Sequence, residues 1–406
     1  MSEPSATTPR LLRQLNARKV LGVLSTGEPL TSTELVDATG LTRATVHAVC
    51  QDLIELGWAH ELENERTTGS YQRGRPSRRF QFNDRAGFVL GIDVGAFKTT
   101  AMVADLRGQE LARCGLAFAD VKVPAAERVD TVDSAALGVL EAAGVPVSSV
   151  LAVTVGVAAP VDRNGKVAVS DQFWKIFDID LGAALRDRHG WLVQMENDAN
   201  LAALGERWQG VARGVDDLVV LLASERIGSG LLESGRLLHG RRGGAGELAF
   251  LRRLEGVGTV DGIASLARQW GTEAVASGEH ATVMAGTVTA EMVFAAAAGG
   301  DQVALDVLDR LSTRMARIVA AISDLLNPEL VVIAGAVAQA AGVLLETIQA
   351  RLPTFANSPP RLAVSTLGDA VVAIGAIRHA LDYVEANRLT FATASGEPND
   401  RFHSRR

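Results

Sequence analysis

Asn197 and Asp198 stand side by side where a strand-like run (191–195) gives way to a helical one (200–210), and Glu247 lies in a segment with four glycines around it. Their oxygens accept hydrogen bonds, and a carboxylate is the natural partner of vicinal hydroxyl donors. The trio therefore suits a polyol held in a cleft. The competing reading of Asp198 is structural, because an aspartate at a helix start is favoured by the helix dipole and caps it. A second group has different chemistry. Thr42, Arg43, Thr45 and His47 would be the first residues of a helix that follows a glycine turn. Arg43 can reach a guanine edge with two hydrogen bonds or hold a phosphate, and Thr45 can donate to a phosphate or touch a thymine methyl. His47 divides between base contact, core packing and simple exposure. Further on, Arg73, Arg75, Arg78 and Arg79 fall within seven residues on a Gly/Pro-bent stretch. Such a loop suits a narrow, A·T-rich minor groove with enhanced negative potential. Taken alone it would read as a solvated basic loop; its place behind a helix-turn-helix pattern favours DNA.

The elements that would position these residues follow from spacing and punctuation. Leu11, Leu12, Leu15, Val20, Val23 and Leu24 recur at helical intervals, and Gly27-Glu28-Pro29 ends that helix. A second helix (33–38) starts at a capping box made by Thr31 and Glu34. Gly40 supplies the turn, and Thr42 caps a third helix that buries Val46, Val49, Leu53 and Leu56 and stops at Gly57. Strands at 58–61 and 78–83 enclose a polar wing (64–77). This is a winged helix-turn-helix layout, expected over 10–83 behind a disordered arm (1–9). From residue 88 short strands at 88–93, 99–105 and 111–118 open an α/β region, followed by a helix (125–143) and a strand (150–157). A strand at 217–223, an Ala-rich helical stretch (290–326), a buried strand (330–333) and a last helix (370–385) complete it. The repeat of strands followed by helices predicts two lobes, 84–196 and 197–369, with a hinge near 196–200. A C-terminal helix (370–387) would return to the first lobe, ahead of a flexible tail (388–406).

Composition sets bounds. The 406 residues suffice for two or three domains, and an apolar share of 47% fills a large core. The net charge is −7, yet residues 1–82 carry ten Lys/Arg against nine Asp/Glu, so nucleic-acid contact should be confined to the front. Cys50 and Cys114 form neither a disulfide framework nor a Cys-rich zinc site, and Cys50 reads as a small core residue. No stretch is long and apolar enough to cross a bilayer, and Met1-Ser2-Glu3-Pro4 lacks signal-peptide blocks. The expectation is a soluble cytoplasmic protein without membrane partners, associated with the nucleoid when bound to DNA.

Three segments carry a family resemblance. Gly91-Ile92-Asp93-Val94-Gly95-Ala96-Phe97-Lys98 resembles the first phosphate-binding hairpin of the actin-like sugar kinases. The run from Glu196-Asn197-Asp198-Ala199-Asn200 to Gly205-Glu206 resembles the signature of the ROK family (repressors, open reading frames and kinases). Gly243-Gly244-Ala245-Gly246-Glu247-Leu248 is similar to that family's sugar-binding segment. The resemblance spans about residues 10–385. It implies a two-lobed α/β actin-like (ribonuclease H-like) body, with Asp198 at the position of the kinases' general base. It also implies a sugar contact for Asp261, one methylene shorter than the family's Glu.

The departures matter as much. The second Gly and the Thr of the first phosphate loop are replaced by Ala96 and Phe97. The glycine-rich second loop reads Ser224-Glu225-Arg226-Ile227-Gly228, with a glutamate that would repel phosphate. The third glycine pair is reduced to Ala334-Gly335-Ala336. Backbone amides cannot then cradle a nucleotide. ATP is not expected as a cofactor, Asp198 is a vestigial base, and kinase activity is not expected. The family's zinc-binding His and Cys run are replaced by Phe250 and Gly256-Val257-Gly258-Thr259-Val260, so no metal is expected; Phe250 and Val260 would fill the place with apolar packing. Ser170-Asp171-Gln172-Phe173 departs from the family's Pro-Asn-Leu, which implies altered specificity.

The leading expectation is a repressor of carbohydrate metabolism. It would bind operator DNA as a homodimer or dimer of dimers and respond to a sugar or sugar derivative held by Asn197, Asp198, Glu247 and Asp261. The alternatives are an active ATP-dependent sugar kinase with an appended DNA reader, and a regulator controlled by a protein partner.

Overall fold

Helix and turn signals at the head of the chain are realised almost residue by residue. The computed structural model describes residues 9–62, 78–168, 174–278, 280–336 and 338–391. Helix α1 (Pro9–Leu24) buries only its second half: Ala17, Val20, Leu21 and Leu24 lie inside, whereas Leu11, Leu12 and Leu15 stay about half exposed. Strand β1 (Leu30–Thr31) leads into helix α2 (Ser32–Thr39). Thr31 Oγ1 accepts from Glu34 N, while Thr31 N donates to Glu34 Oε2, which closes the capping box. Thr42 caps helix α3 (Arg43–Glu55), and strands β2 (Ala59–Leu62) and β3 (Arg79–Phe82) form the arms of the hairpin. The two-residue β1, too short to show in the sequence, completes a sheet of order β1-β3-β2. Arg13 on α1 donates to both carboxylate oxygens of Asp52 on α3 (2.7 and 2.5 Å) and ties the bundle.

The first lobe contains β4 (Phe88–Val94), β5 (Lys98–Asp105), β6 (Glu110–Ala117), α4 (Ala125–Ala143), β7 (Val150–Val157), α5 (Leu181–His189) and β8 (Val193–Asn197). Its sheet order is β6-β5-β4-β7-β8, an antiparallel meander continued by two parallel strands. Every residue of β7 is buried, as a central parallel strand covered on both faces requires. Helix α6 (Asp198–Trp208) follows β8 without a connecting residue. The hinge expected near 196–200 is therefore a direct strand-to-helix junction.

The second lobe repeats the plan with β9 (Leu218–Leu222), β10 (Gly228–Glu233), β11 (Arg236–Leu237), α7 (Ile263–Ser277), α8 (Ala290–Ala298), α9 (Gln302–Leu326), β12 (Leu330–Ala334), α10 (Ala338–Phe355) and β13 (Arg361–Val364). The order is β11-β10-β9-β12-β13, again a meander plus two parallel strands. Helix α11 (Val371–Asn387) crosses back and packs on α6, β4 and β7.

One buried apolar cluster joins the head to the first lobe. Leu35, Leu53, Phe80 and Phe82 of the head share it with Val89, Met102 and Leu151 of the lobe and with Ile377 and Val384 of α11. Residues 388–390, expected in the flexible tail, are ordered against the head. Arg388–Thr390 form a 3₁₀ turn in which Arg388 and Leu389 are buried. Arg388 Nη1 donates to Ser25 Oγ (3.2 Å), and its guanidinium lies over the Phe82 ring, so the head supplies both a hydroxyl and an apolar face. The arm before Pro9, the tip of the wing with Arg73 and Arg75, residues 170–173 and the chain beyond 391 lie outside the described residues. Among the described residues no helix is long and apolar enough to cross a membrane.

Candidate functional site

At the β8–α6 junction the sequence solves a capping problem and frees a carboxylate. Asn197, not Asp198, is the N-cap: its Oδ1 accepts from Asn200 N (3.1 Å), and its Nδ2 donates to Ala159 O (3.1 Å). Asn197 thus makes one hydrogen bond to the protein at each end of its amide, and its second lone pair and second N–H remain for a ligand. Asp198 stands one residue inside the helix, with Oδ1 accepting from Ala199 N (2.8 Å). Burial pushes its carboxyl up to about 8, helped by the charges of Asp93 and Glu247. Asp93, one residue before the end of β4, is likewise raised to about 7 by burial; Lys98 pulls it down and Asp369 pushes it up. Lys98 Nζ and Asp369 Oδ2 pair across 2.9 Å. The Asp198 carboxyl thus lies within reach of the charges of Asp93 and Glu247. Protonated carboxyls can donate to hydroxyl oxygens, and ionised ones can accept from hydroxyl hydrogens.

Glu247 is exposed on a loop that only glycine permits. A Cβ on Gly243 (φ 72°) would lie 1.9 Å from Val161 O, and one on Gly246 (φ 86°) 2.3 Å from Ser229 O. The loop therefore lies flush against both lobes. Asp261 lies between the β9–β10 connection and α9. Its backbone bridges Arg226, and its charge acts on Arg314 of α9, whereas Asp198 feels Asp93 and Glu247.

Sequence reasoning missed Glu196 and His239 as a working pair. Glu196 Oε1 accepts from Asn197 N (2.8 Å) and Asn200 Nδ2 (2.9 Å), and Oε2 meets His239 Nε2 at 2.8 Å. Burial alone would raise the Glu196 carboxyl. The bonds from His239, Asn200 and Asn197 overcome that and hold it below the usual carboxylate range, while Glu196 raises His239. The pair ties β8 of one lobe to the loop after β11 of the other. A cavity of about 800 Å³ opens beside it, lined by Lys166, Met195, Glu196, His239 and His379 among others. No local signal marks His239, because its partner is 43 residues away.

Phe97 projects from the β4–β5 hairpin, 56% exposed. Glu225 is gripped by Arg268 through two bonds (3.2 and 2.7 Å), which softens the repulsion expected from its charge. At the place of the cysteine run, Val260 is buried in the second lobe, but Phe250 is 39% exposed and does not fill the interior as expected. Carbonyls of this segment are held instead by Arg314 and Arg317. Phe250, Gly256, Val257 and Gly258 offer no thiolate or imidazole, so the donor set does not fit zinc, and among the described residues no group of metal-ligating side chains gathers.

In the head, Thr42 and Arg43 are exposed at the start of α3. Thr42 Oγ1 caps the helix and contacts Thr45 Oγ1 (2.8 Å), which leaves Thr45 half-buried. Arg43 Nη2 donates to Thr33 Oγ1 (3.0 Å), which aligns the guanidinium along the outer face. His47 is half-buried with its ring edge-on to Phe80. Arg78 pairs with Glu61 (3.2 Å) at the base of the wing. Ala44, Ala48, Gln51 and Glu55 complete the exposed face of α3, with Gln51 Nε2 donating to Glu55 Oε1 (3.4 Å). Their helical spacing of four and three residues could have revealed them, and Gln51 is a side chain able to read adenine.

Residues 89–382 match the ROK family, and residues 15–63 match the IclR helix-turn-helix domain. The chain is 24% identical over 362 residues to the DNA-binding transcriptional dual regulator NagC of Escherichia coli, covering 85% of this chain and 86% of that protein. It is 32% identical over 225 residues to a glucokinase of Halalkalibacterium halodurans, covering 49% of this chain and 66% of the enzyme's length. A crystal structure of a ROK family transcriptional regulator homologous to the E. coli MLC protein superimposes with a TM-score of 0.69 at 21% identity, covering 93% of this chain and 99% of that one. A ROK family glucokinase from Streptomyces griseus, in complex with glucose and AMPPNP, superimposes with a TM-score of 0.60 at 26% identity, covering 73% of this chain and all of the other.

Proposed function

The chain belongs to the ROK family, and from that premise we propose that it is a DNA-binding transcriptional regulator, a repressor of carbohydrate metabolism whose kinase-like body senses a sugar or sugar derivative. The observation that carries this reading is a continuous packed path from the carboxyl cleft to the DNA-reading head. Asp198 opens α6, α6 lies directly on α11, and the end of α11 is buried in the head through Arg388, Ser25 and Phe82. Hydroxyl groups bridging Asp198 and Glu247 would draw the two lobes together. The shift of α6 would then reach the head through α11 and change the spacing of two heads in a homodimer.

Relatives that span most of this chain point the same way, since NagC and the N-acetylglucosamine repressors align over 85% of it at 24% identity. The operator is read by α3 through Arg43 and Gln51, with Thr42 and Thr45 near the phosphates and the wing arginines Arg73, Arg75 and Arg78 on the minor-groove side. No nucleotide, zinc or membrane is part of this reading, and the protein works in the cytoplasm.

The test is a mobility shift of the full-length protein on DNA from its own upstream region, repeated with a panel of sugars and sugar phosphates. Retarded DNA that a particular sugar releases or tightens is the expected result; no retardation under any condition would overturn it. A kinase reading is favoured by one observation, the retained Asp198 carboxyl beside a 32% identical glucokinase. Phe97 and the Glu225–Arg268 pair oppose it, and steady nucleotide consumption with a hexose, lost in Asp198→Asn, would establish it.

A further inference from the structure

The segment that takes the place of the cysteine run carries a second set of unusual side chains. Residues 254–260 lie over one face of α9, where Arg310, Arg314 and Arg317 fall four and three residues apart and so project to one side. With Trp270, Gly256 and Gly258 they line a cavity of about 590 Å³, within the range of small-ligand sites. Arg314 is only 2% exposed. Its Nε and Nη2 donate to the carbonyls of Val257 (3.2 Å) and Thr259 (2.7 Å), and its Nη1 is buried without a partner. Arg317 donates Nη1 to Glu255 O (2.8 Å) and leaves its Nε buried and unpartnered. The Arg310 guanidinium lies over the Trp270 ring, 3.8 Å from its centre.

Among the described residues none of the three arginines has an ion-pair partner. Asp309, the carboxylate lining the same cavity, is held by Arg351 at 2.5 Å. Asp261 acts on Arg314 only through space, and burial pulls the Arg314 pKa down to about 10. A buried guanidinium without a counter-ion is strongly unfavourable, and an anion brought alongside relieves it.

We propose that this cavity is an oxyanion site that takes a phosphate group against Arg310 and Arg317, with Arg314 supplying positive field beneath. Guanidinium forks match phosphate oxygens, which makes arginine the residue suited to this task. The chemistry is the reverse of that in the carboxyl cleft, so the two sites select different groups. The loop continues into Asp261 and Gly262, and Gly262 N donates to Glu225 O (2.8 Å), so occupancy bears on the segment joining β9 and β10.

The full chain is titrated with inorganic phosphate at constant ionic strength, with chloride as the balancing anion, and followed by calorimetry and tryptophan fluorescence. Saturable binding of one phosphate per chain is expected. Affinity should fall about tenfold in Arg317→Met and further in the Arg310→Met/Arg317→Met double variant. It should be unchanged in Arg361→Met, an exposed arginine elsewhere. Trp270→Phe should remove the fluorescence change and leave the heat. A hexose phosphate that binds more tightly than phosphate, with the same arginine dependence, identifies an esterified ligand; equal affinities identify the free ion. Either of two kinds of result overturns the proposal. One is binding no stronger than the chloride control, or binding that survives the double variant. The other is a change in sedimentation in the arginine variants without any phosphate effect, which would mean that this face packs on another copy. Because Arg314 holds the loop through two bonds and Arg317 through one, the thermal midpoint of each variant is measured alongside, and Arg310→Met, whose guanidinium stacks on Trp270, should lower phosphate affinity with the midpoint unchanged.

Discussion

Replacing Gly375 with alanine tests whether α6 and α11 act as one unit. A Cβ at position 375 would sit 1.7 Å from the carbonyl oxygen of Leu201 and 2.4 Å from its carbonyl carbon. A carbon and a carbonyl oxygen ordinarily keep about 3.3 Å apart, so the helices must separate by roughly 1.5 Å. The obstructing atom belongs to a helix backbone and cannot rotate aside. Overpacking by one methyl then falls at the upper end of the usual cost, about 3 kcal/mol. The better helix propensity of alanine returns about 1 kcal/mol. The net loss is about 2 kcal/mol, read as a lower urea midpoint with an unchanged slope. Gly342→Ala is the control. It lies in α10 with nothing within 4 Å of the added methyl, so it should be neutral or stabilising by up to about 1 kcal/mol. The same variant pair is then assayed for operator binding with and without effector, where Gly375→Ala should blunt the response and Gly342→Ala should not. If Gly375→Ala matches Gly342→Ala in both stability and response, the argument that this crossing transmits the signal is refuted.

The cleft carboxyls set a pH dependence. In the folded protein Asp198 titrates at about 8 and Asp93 at about 7, against an ordinary value of 3.8. The folded state thus keeps protons that the unfolded chain releases, and stability from this pair is fully present below about pH 4 and declines as pH rises toward 8. Asp198→Asn should flatten that decline, and urea midpoints at pH 5 and pH 8.5 that keep the wild-type difference would contradict it. Glu247→Gln should weaken effector binding about tenfold by removing a charged acceptor, while operator affinity without effector stays unchanged; a parallel loss of both would place Glu247 in folding rather than sensing. Arg43→Ala and Gln51→Ala should each cost about 1–3 kcal/mol on the operator and relax base preference at separate positions, measured by anisotropy on single-base variants. Uniform weakening across all variants would mean that the two residues touch only phosphates.

The sequence by itself determined the helix ends of the head, which depend on local chemistry. Thr31, Glu34, Gly40, Thr42 and Gly57 mark helix ends through their own backbone and side-chain bonds, so α2 and α3 were legible to within a residue or two. Strands buried on both faces, such as β7, announce themselves by unbroken apolar composition. The ROK motifs placed Asp198 and Glu247, and the altered loops were visible as substitutions. Only the tertiary structure decided what each side chain does once distant segments meet. It left Asp198 with raised affinity for its proton, since that depends on burial and on Asp93, 105 positions earlier in the chain, whereas the Asn197 cap is a local bond to Asn200 that the sequence reading missed. It paired Glu196 with His239, turned His47 toward Phe80, exposed Phe250, and fused the head to α11 through Phe82 and Arg388. Short-range hydrogen bonds are written in neighbouring residues, whereas desolvation and through-space charge depend on what the fold brings within a few ångströms.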